Sequence, residues 1–186
     1  MILQLPSDAM VVLIGPSGAG KSTFAARHFT PTQVLSSDAF RGMVSDDPRD
    51  QTATDDAFEL LHTALALRLA RGRLTVVDAT NVEGWARERV LAVARSHRRP
   101  AVAIVFDLPL ATCLERAAAR TDHPVPAAAI RRHHARMRAS LGGLATEGFD
   151  PICILSSSAA VRDFTAERFA GRRPRCGREG GSAGRA

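Results

Sequence analysis

A short glycine-rich segment carries the residue types that bind phosphate groups. It reads Gly15-Pro16-Ser17-Gly18-Ala19-Gly20-Lys21-Ser22 and matches the Walker A pattern G-x-x-x-x-G-K-[ST], in which backbone N–H groups and the lysine hold phosphates and the hydroxyl binds Mg²⁺. Lys21 is the only lysine among 25 basic residues, and a planar guanidinium does not replace its compact ammonium. The segment predicts a site for ATP or another nucleoside triphosphate with Mg²⁺. The residues expected to bind the nucleotide here are Gly15, Ser17, Gly18, Ala19, Gly20, Lys21, Ser22 and Thr23.

Two aspartates follow predicted strands and carry the next candidate chemistry. Asp38 comes directly after the strand at Gln33 to Ser36, where its carboxylate could orient an alcohol and take its proton as a general base. An aspartate in that place is also a common turn former or helix cap. Asp78 ends the strand Leu74-Thr75-Val76-Val77-Asp78, and we predict that it holds Mg²⁺ together with Ser22, the alternative being a capping role.

Three arginines complete the candidate constellation. Arg41 lies three residues after Asp38 and could bind an acidic group on the phosphate acceptor. Arg116 and Arg120 are four residues apart on one predicted helix, so both project from the same face. Two guanidinium groups there could neutralise charge on a transferring phosphoryl group, which makes them catalytic and nucleotide-binding candidates. The alternative is a solvated helix face.

The elements that must position these residues alternate between strands and helices. Strands are predicted over residues 9–14, 33–36, 74–78, 102–107 and 152–155, and helices over residues 22–29, 56–71, 82–97, 109–120 and 127–141. Alternation of this kind predicts an α/β fold with a doubly wound parallel sheet of five strands, its site at the carboxyl ends of the strands. Residues 122–126 lie between the last two helices, and we expect them to form the hinge of an arginine-bearing helical lid. The basic residues of the final helix predict a solvated outer face.

Length and charge distribution indicate how the chain is divided into a domain and a tail. Residues 1–170 are expected to form one domain, and residues 171–186 a basic, glycine-rich disordered tail or linker. The net charge is +6, but five arginines and one glutamate lie in that tail, so bulk charge does not argue for a polynucleotide. No apolar run approaches about 18 residues and no leader is evident, which predicts a cytoplasmic protein without a membrane partner. Three widely spaced cysteines predict reduced thiols.

Beyond the glycine-rich segment, the chain resembles the kinase domain of bacterial polynucleotide kinase-phosphatase, a P-loop phosphotransferase of RNA repair. The resemblance rests on Ser36 to Asp47, Asp50 to Thr54, Leu74 to Asn81, Arg116 to Asp122 and Glu147 to Phe149. It implies transfer of the γ-phosphate of a nucleoside triphosphate to the 5′-OH end of RNA or DNA. It also implies that Arg41, with Gln51, holds the acceptor's nearest internucleotide phosphate.

The family resembled usually continues into phosphatase and ligase-like domains, whereas this chain ends in the basic tail. The chain could therefore form a homo-oligomer, or it could act together with phosphatase and ligase activities located elsewhere. Two other functions fit the residues by themselves. One is a small-molecule P-loop kinase, and the other is a nucleotide-dependent switch or binding module; a switch of the usual guanine-reading kind is disfavoured because no N-K-x-D string is present.

Overall fold

A computed structural model describes residues 2–120 and 125–170 of the chain. Five of its strands form one parallel sheet in the order β3-β4-β2-β5-β6. A separate two-stranded parallel sheet pairs β1 with β7. The strands are β1 (Ile2–Pro6), β2 (Met10–Ile14), β3 (Val34–Ser36), β4 (Thr75–Asp78), β5 (Ala101–Phe106), β6 (Ile152–Leu155) and β7 (Thr165–Phe169).

Helices connect the parallel strands, as the right-handed crossover between neighbouring parallel strands requires. They are α1 (Lys21–His28), α2 (Ser37–Ser45), α3 (Thr54–Ala70), α4 (Gly84–Ser96), α5 (Leu110–Ala118), α6 (Ala127–Ser140), α7 (Leu144–Glu147) and α8 (Ser158–Arg162). Short 3-10 helices cover Pro31–Gln33, Gln51–Ala53 and Leu141–Gly143. The predicted α/β fold with a five-stranded, doubly wound parallel sheet is confirmed, and the bounds of the predicted elements agree within two residues.

The sheet is covered on both faces, because successive side chains of a strand point in opposite directions. On one face, Val11 and Leu13 of β2 pack in a cluster with Phe24 of α1 and Cys113 of α5. On the other face, alternate residues of β2 pack with the apolar stripe of α3 and with α4, in a cluster that includes Met10, Val12, Ile14, Leu61, Leu65, Leu69, Val90 and Leu91. Strand β2 is the central strand of the five, and all of its five residues are buried.

The β1–β7 pair and helix α2 were not predicted from the sequence. Strand β1 is short and its partner β7 lies more than 150 residues further along the chain, with Ile2 opposite Thr165 and Pro6 opposite Phe169. Local pattern contains no information about such a pairing. Helix α2 begins directly at the end of β3, with the Ser36 hydroxyl accepting a hydrogen bond from the Ala39 amide as an N-cap.

The basic helix α6 exposes its four arginines to solvent, as expected of a solvated outer face, while its apolar residues pack on the domain. Ile130 and Met137 are buried in the two core clusters. Both carboxylate oxygens of Asp107, at the end of β5, accept hydrogen bonds from Arg138 at 2.9 and 2.7 Å. Arg136 pairs with Glu83 at the start of α4, so ion pairs as well as apolar contacts hold α6 against the domain.

Two sequence expectations fall on residues that lie outside the described ranges: residues 122–124 of the predicted hinge, and the tail, residues 171–186. Within the described ranges, none of the helices is both long enough and apolar enough to cross a membrane.

Candidate functional site

The glycine-rich segment forms a tight loop between the end of β2 and the start of α1. Gly18 and Gly20 have φ values of +80° and +89°, in the region that favours glycine. A Cβ atom on Gly18 would lie 2.1 Å from the carbonyl oxygen of Cys113 in α5. The loop backbone is therefore curled tightly at the amino end of α1, the arrangement in which backbone N–H groups bind phosphate.

Lys21 lies inside this loop with only 8 % of its surface exposed. Its Nζ atom donates hydrogen bonds to the carbonyl oxygens of Gly15 at 2.8 Å and Pro16 at 2.9 Å. Burial lowers the pKa of Lys21, while the negative charges of Asp78 and Asp38 oppose that change. The ammonium group is thus held at the loop and lies within electrostatic reach of both aspartates.

Asp78 lies beside the loop because β4 is the neighbour of β2 in the sheet. The strand register places it opposite Leu13 on one side and Ser36 on the other. Burial raises the pKa of Asp78, while the charge of Lys21 and a hydrogen bond with the Ser22 side chain act in the opposite direction. Carboxylate and hydroxyl oxygens are ligands that Mg²⁺ accepts, and Mg²⁺ takes further ligands from phosphates and water, so Ser22 and Asp78 fit the ion.

A second set of contacts, which sequence reasoning missed, fixes the loop after β4 against the phosphate-binding loop. The Gly15 amide donates to the Thr80 carbonyl at 2.9 Å, and Nδ2 of Asn81 donates to the Leu13 carbonyl at 2.8 Å. Asn81 has a φ of +49°, and its own carbonyl accepts a hydrogen bond from Nη1 of Arg87 at 3.0 Å. Arg87 is 1 % exposed and pairs with both carboxylate oxygens of Glu147 at 2.7 and 2.6 Å.

Asp38 and Arg41 lie on α2, at the carboxyl end of β3. Asp38 is in the first turn of the helix, and Arg41 is one turn later, so their side chains meet on one face. Nη2 of Arg41 donates to Oδ1 of Asp38 at 2.8 Å, and the Ser37 hydroxyl lies 3.4 Å from the same oxygen. Nε and Nη1 of Arg41 are buried and have no hydrogen-bond partner in the described residues. The described residues therefore leave two hydrogen-bond donors of Arg41 unused.

Gln51 is placed differently from these residues. It begins the 3-10 helix Gln51–Ala53, which packs beside α2. Its side chain is exposed, and Nε2 donates to the carbonyl oxygen of Arg49 at 3.1 Å. The structure thus brings Gln51 near the helix that carries Arg41, but its side-chain hydrogen bond is made within its own turn.

Arg116 and Arg120 follow β5, and Asp38 follows β3; these two strands lie on opposite sides of β2 in the sheet. Arg116 donates from Nη1 to the Ala19 carbonyl at 3.4 Å and from Nη2 to the Ser158 hydroxyl at 2.8 Å. The positive charge of Arg120 adds to the effect of burial, which lowers the pKa of Lys21, and opposes the effect of burial, which raises the pKa of Asp78. Arg116 is therefore brought to the loop from α5, whereas Arg120, predicted on the same helix, lies two residues beyond its last residue, Ala118.

Both arginines line a cavity of about 480 Å³ that begins at the phosphate-binding loop and continues along α1. Several of its residues were not predicted: Phe24, Arg27, His28, Ser158, Val161 and Arg162. The ring of His28 lies 4.5 Å from that of Phe24 and 5.3 Å from that of Phe164, measured between centroids. The run Ser156-Ser157-Ser158 follows the carboxyl end of β6, which is the signal that could have located this wall from the sequence.

The cavity adjoins the loop and is lined by no residue of α2, the helix that carries Asp38, and it is large enough to hold the nucleoside part of a nucleotide. The site as a whole therefore has two sides. Donor phosphates would lie at Lys21, with a nucleoside beside Arg116, while an acceptor would enter at Asp38 and Arg41.

Comparison with known proteins identifies the family and the fold of the chain. The model of a family described as "AAA domain" matches residues 10–144, which include the loop, both aspartates, Arg116 and Arg120. No curated protein matches the sequence at a significant level.

Among solved structures, a chain of the "Pnkp1/Rnl/Hen1 RNA repair complex" superimposes with a TM-score of 0.64 and 22 % identity, over 73 % of this chain. The present chain spans 46 % of the length of that protein. A gluconokinase from Sinorhizobium meliloti 1021 gives a TM-score of 0.53 and 19 % identity, covering 85 % of this chain and 90 % of the other. Kti12 from Chaetomium thermophilum, solved with ADP-AlF3, gives 0.56 and 17 % identity, covering 82 % and 93 %.

At these identities the solved structures show the fold and do not distinguish between acceptors. The family match covers well over half of the chain, and the fold is shared with kinases of several kinds. The chain therefore belongs to the AAA domain family and has the nucleotide-binding P-loop kinase fold.

Proposed function

We propose that this protein is a 5′-OH polynucleotide kinase, which transfers the γ-phosphate of ATP or another nucleoside triphosphate to the 5′-OH end of RNA or DNA. The observation that carries the proposal is the incomplete hydrogen bonding of the Arg41 side chain. Nη2 holds Asp38, and the two remaining nitrogen atoms, Nε and Nη1, are buried without a partner. Buried donors without partners are costly, so an acceptor that supplies an acidic group there would relieve that cost.

An internucleotide phosphate fits this requirement. In a polynucleotide, the first phosphate is separated from the 5′-OH by only one nucleoside, so the two groups could lie at Arg41 and Asp38 together. Guanidinium groups bind phosphate oxygens through paired, charge-assisted hydrogen bonds. A neutral sugar or alcohol offers no such group to Arg41.

The chain's own residues then have separate tasks. Asp38 accepts the proton of the 5′-OH while the 5′-oxygen attacks the γ-phosphorus. The bond from that phosphorus to the β,γ-bridging oxygen breaks. Lys21 follows the γ-phosphate, while Arg116 and Arg120 neutralise the charge that develops on the transferring group and on the departing diphosphate. Mg²⁺, held by Ser22 and Asp78, would contribute further neutralisation of the phosphate charge when bound.

The likeness to a chain of an RNA repair complex supports a role in nucleic-acid repair, while the likeness to a gluconokinase supports the rival acceptor, a small polyol or sugar acid. Because the fold is common to both, the acceptor has to be identified by assay. We further propose that Gln51 assists Arg41 once an acceptor is bound, since its turn packs beside α2.

The test offers one donor to a panel of acceptors. The protein is incubated with γ-labelled ATP and Mg²⁺ and with a 5′-OH oligonucleotide, its 5′-phosphorylated twin, or small alcohols that include gluconate. We expect label only in the 5′-OH oligonucleotide. Label in a small alcohol would establish the rival kinase, and label in no acceptor, with nucleotide still bound, would favour a nucleotide-dependent switch.

A further inference from the structure

A second cavity of about 480 Å³ lies at the opposite end of the sheet from the phosphate-binding loop. Its walls come from the segments that precede β2, β3 and β4, so it lies at the amino ends of the strands, whereas Lys21 and Asp78 lie at the carboxyl ends. Strand β4 has four residues, which separates the two ends by roughly 13 Å. One phosphate group therefore cannot occupy both places.

Three arginines from three different elements line this cavity: Arg68 of α3, Arg73 of the loop before β4, and Arg168 of β7. The other lining residues are Ser7, Thr32, Gln33, Gly72 and Leu74, and none is acidic. The cavity wall is therefore cationic, with hydroxyl and amide groups between the guanidinium groups.

Neutral oxygen atoms hold two of these arginines in place. Arg68 donates from Nε to the Thr75 hydroxyl at 3.1 Å and from Nη2 to the Leu74 carbonyl at 3.0 Å. Arg168 donates from Nη2 to Oε1 of Gln33 at 3.2 Å and to the His28 carbonyl at 3.3 Å. These bonds orient the guanidinium groups but leave their positive charge uncompensated.

At other arginines of the domain, a carboxylate compensates the positive charge of the guanidinium group. Arg99, which is nearby, donates to Oδ2 of Asp8 at 2.7 Å, so the carboxylate next to Ser7 is already engaged. In the described residues, the Arg73 side chain makes no ion pair with a carboxylate. Burial lowers the pKa of Arg68, and the neighbouring charge of Arg73 lowers it further, which shows that the two cations repel each other.

We propose that this cavity is a second phosphate-binding site, in which Arg68, Arg73 and Arg168 surround a phosphoryl group. Guanidinium groups favour phosphate because their planar N–H donors match its oxygen atoms, and a bound dianion would remove the repulsion between the arginines. The site takes a phosphoryl group whether it belongs to a free small anion or to the backbone of a nucleic acid. It does not depend on the proposed kinase activity.

Pyrophosphate is the probe, and Lys21→Ala removes the competing site at the glycine-rich loop. Binding of pyrophosphate to full-length Lys21→Ala protein is measured by titration calorimetry, and the affinity should fall about tenfold or more when Arg73→Glu is added. Arg71→Glu is the matched control, because Arg71 carries the same charge in the same loop but does not line the cavity. It should retain the affinity of the Lys21→Ala protein.

Arg168→Gln, added to Lys21→Ala, provides a second variant in a different element, and it too should weaken binding about tenfold. Circular dichroism establishes that each variant is folded. Lack of pyrophosphate binding in the Lys21→Ala protein would overturn the proposal. Equal losses for Arg71→Glu and Arg73→Glu would do the same, because they would indicate attraction by overall charge.

A separate experiment determines whether the phosphoryl group belongs to a free anion or to a nucleic-acid backbone. This experiment rests on the proposed function. Arg73→Glu is compared with the unsubstituted protein in phosphorylation of 5′-OH oligonucleotides of increasing length. A KM that rises only for the longer oligonucleotides identifies the nucleic-acid backbone as the ligand. A KM that is unchanged at every length identifies a free anion, and absence of any phosphorylation contradicts the proposed function without affecting the pyrophosphate result.

Discussion

Nη2 of Arg41 lies 2.8 Å from Oδ1 of Asp38, and this ion pair joins the group proposed to bind the acceptor phosphate to the proposed general base. The two side chains differ sharply in exposure, with 12 % of Arg41 and 57 % of Asp38 accessible to solvent. The carboxylate is therefore open to an incoming alcohol, whereas the arginine side chain is mostly buried. Binding of an acceptor phosphate by Arg41 would position the alcohol at the carboxylate.

Arg41→Ala should raise the KM for a 5′-OH oligonucleotide by about tenfold or more, because a charge-assisted hydrogen bond to phosphate is lost. Background hydrolysis of the nucleotide should change much less. Both rates are measured on the same preparation with labelled ATP. Arg49→Ala is the control, since Arg49 is an exposed arginine that pairs with Asp47 close to the same helix. Equal losses of transfer and hydrolysis would count against a phosphate-binding role for Arg41.

Asp38→Asn should lower the rate of phosphoryl transfer by about 10²- to 10⁴-fold, because an amide cannot accept the proton of the attacking alcohol. Nucleotide affinity should stay near that of the unsubstituted protein, as measured with a fluorescent nucleotide. Asp46→Asn, at the end of the same helix, is the control, because Asp46 has a φ of +57° and asparagine also adopts that conformation. Full transfer activity in Asp38→Asn would rule out the general-base role.

Gly18→Ala should destabilise the domain by about 1 to 3 kcal/mol and abolish nucleotide binding, because the added methyl group would meet the Cys113 carbonyl and strain a positive φ. Gly142→Ala should be close to neutral, since nothing lies within 4 Å of its added Cβ. Urea unfolding of both variants gives the comparison. A Gly18→Ala protein as stable as the unsubstituted one would mean that the loop is held less tightly than described.

Glu147→Gln should lower the free energy of unfolding by about 3 kcal/mol or more, because it leaves the charge of the buried Arg87 without its partner. Removing the exposed carboxylate of the Arg95–Glu88 pair by Glu88→Gln should cost less than about 1 kcal/mol. Since Arg87 also holds the loop that contacts Gly15, we expect weaker nucleotide binding in Glu147→Gln as well. Similar unfolding energies for the two variants would contradict the structural role of the buried pair.

Stability should decrease as the pH falls from about 7.5 to about 5, because the unperturbed pKa of histidine is about 6.5. Burial lowers the pKa values of His28, His62 and His133 in the folded protein. As the pH falls below the pKa of these histidines in the unfolded chain, the unfolded chain binds more protons than the folded protein. The stability present at higher pH is therefore lost until the pH has also fallen through the pKa values of the folded protein. His133→Gln should reduce this dependence in urea unfolding at the two pH values. An unchanged pH dependence would contradict the burial of this ring.

Much of the fold was predictable from local pattern. The apolar run at β2 followed by the glycine-rich segment and α1 indicates its own conformation, since a tight loop with positive φ values requires glycine at those positions. The apolar spacing within α3 likewise identifies the face that packs on the sheet. By contrast, neither β1 nor its pairing with β7 could be predicted, because the two strands are short and their contact depends on the rest of the domain being folded.

The sequence by itself determined which residue types are available for chemistry: one lysine within a phosphate-binding loop, two aspartates after strands, and arginines at helical spacing. Only the tertiary structure decided how they are partnered. The pairing of Arg41 with Asp38, the support of the loop by Arg87 and Glu147, and the gathering of Arg68, Arg73 and Arg168 around one cavity all depend on side-chain orientation or on elements distant along the chain. Spacing limits which residues can meet, but packing in three dimensions selects the contacts that form.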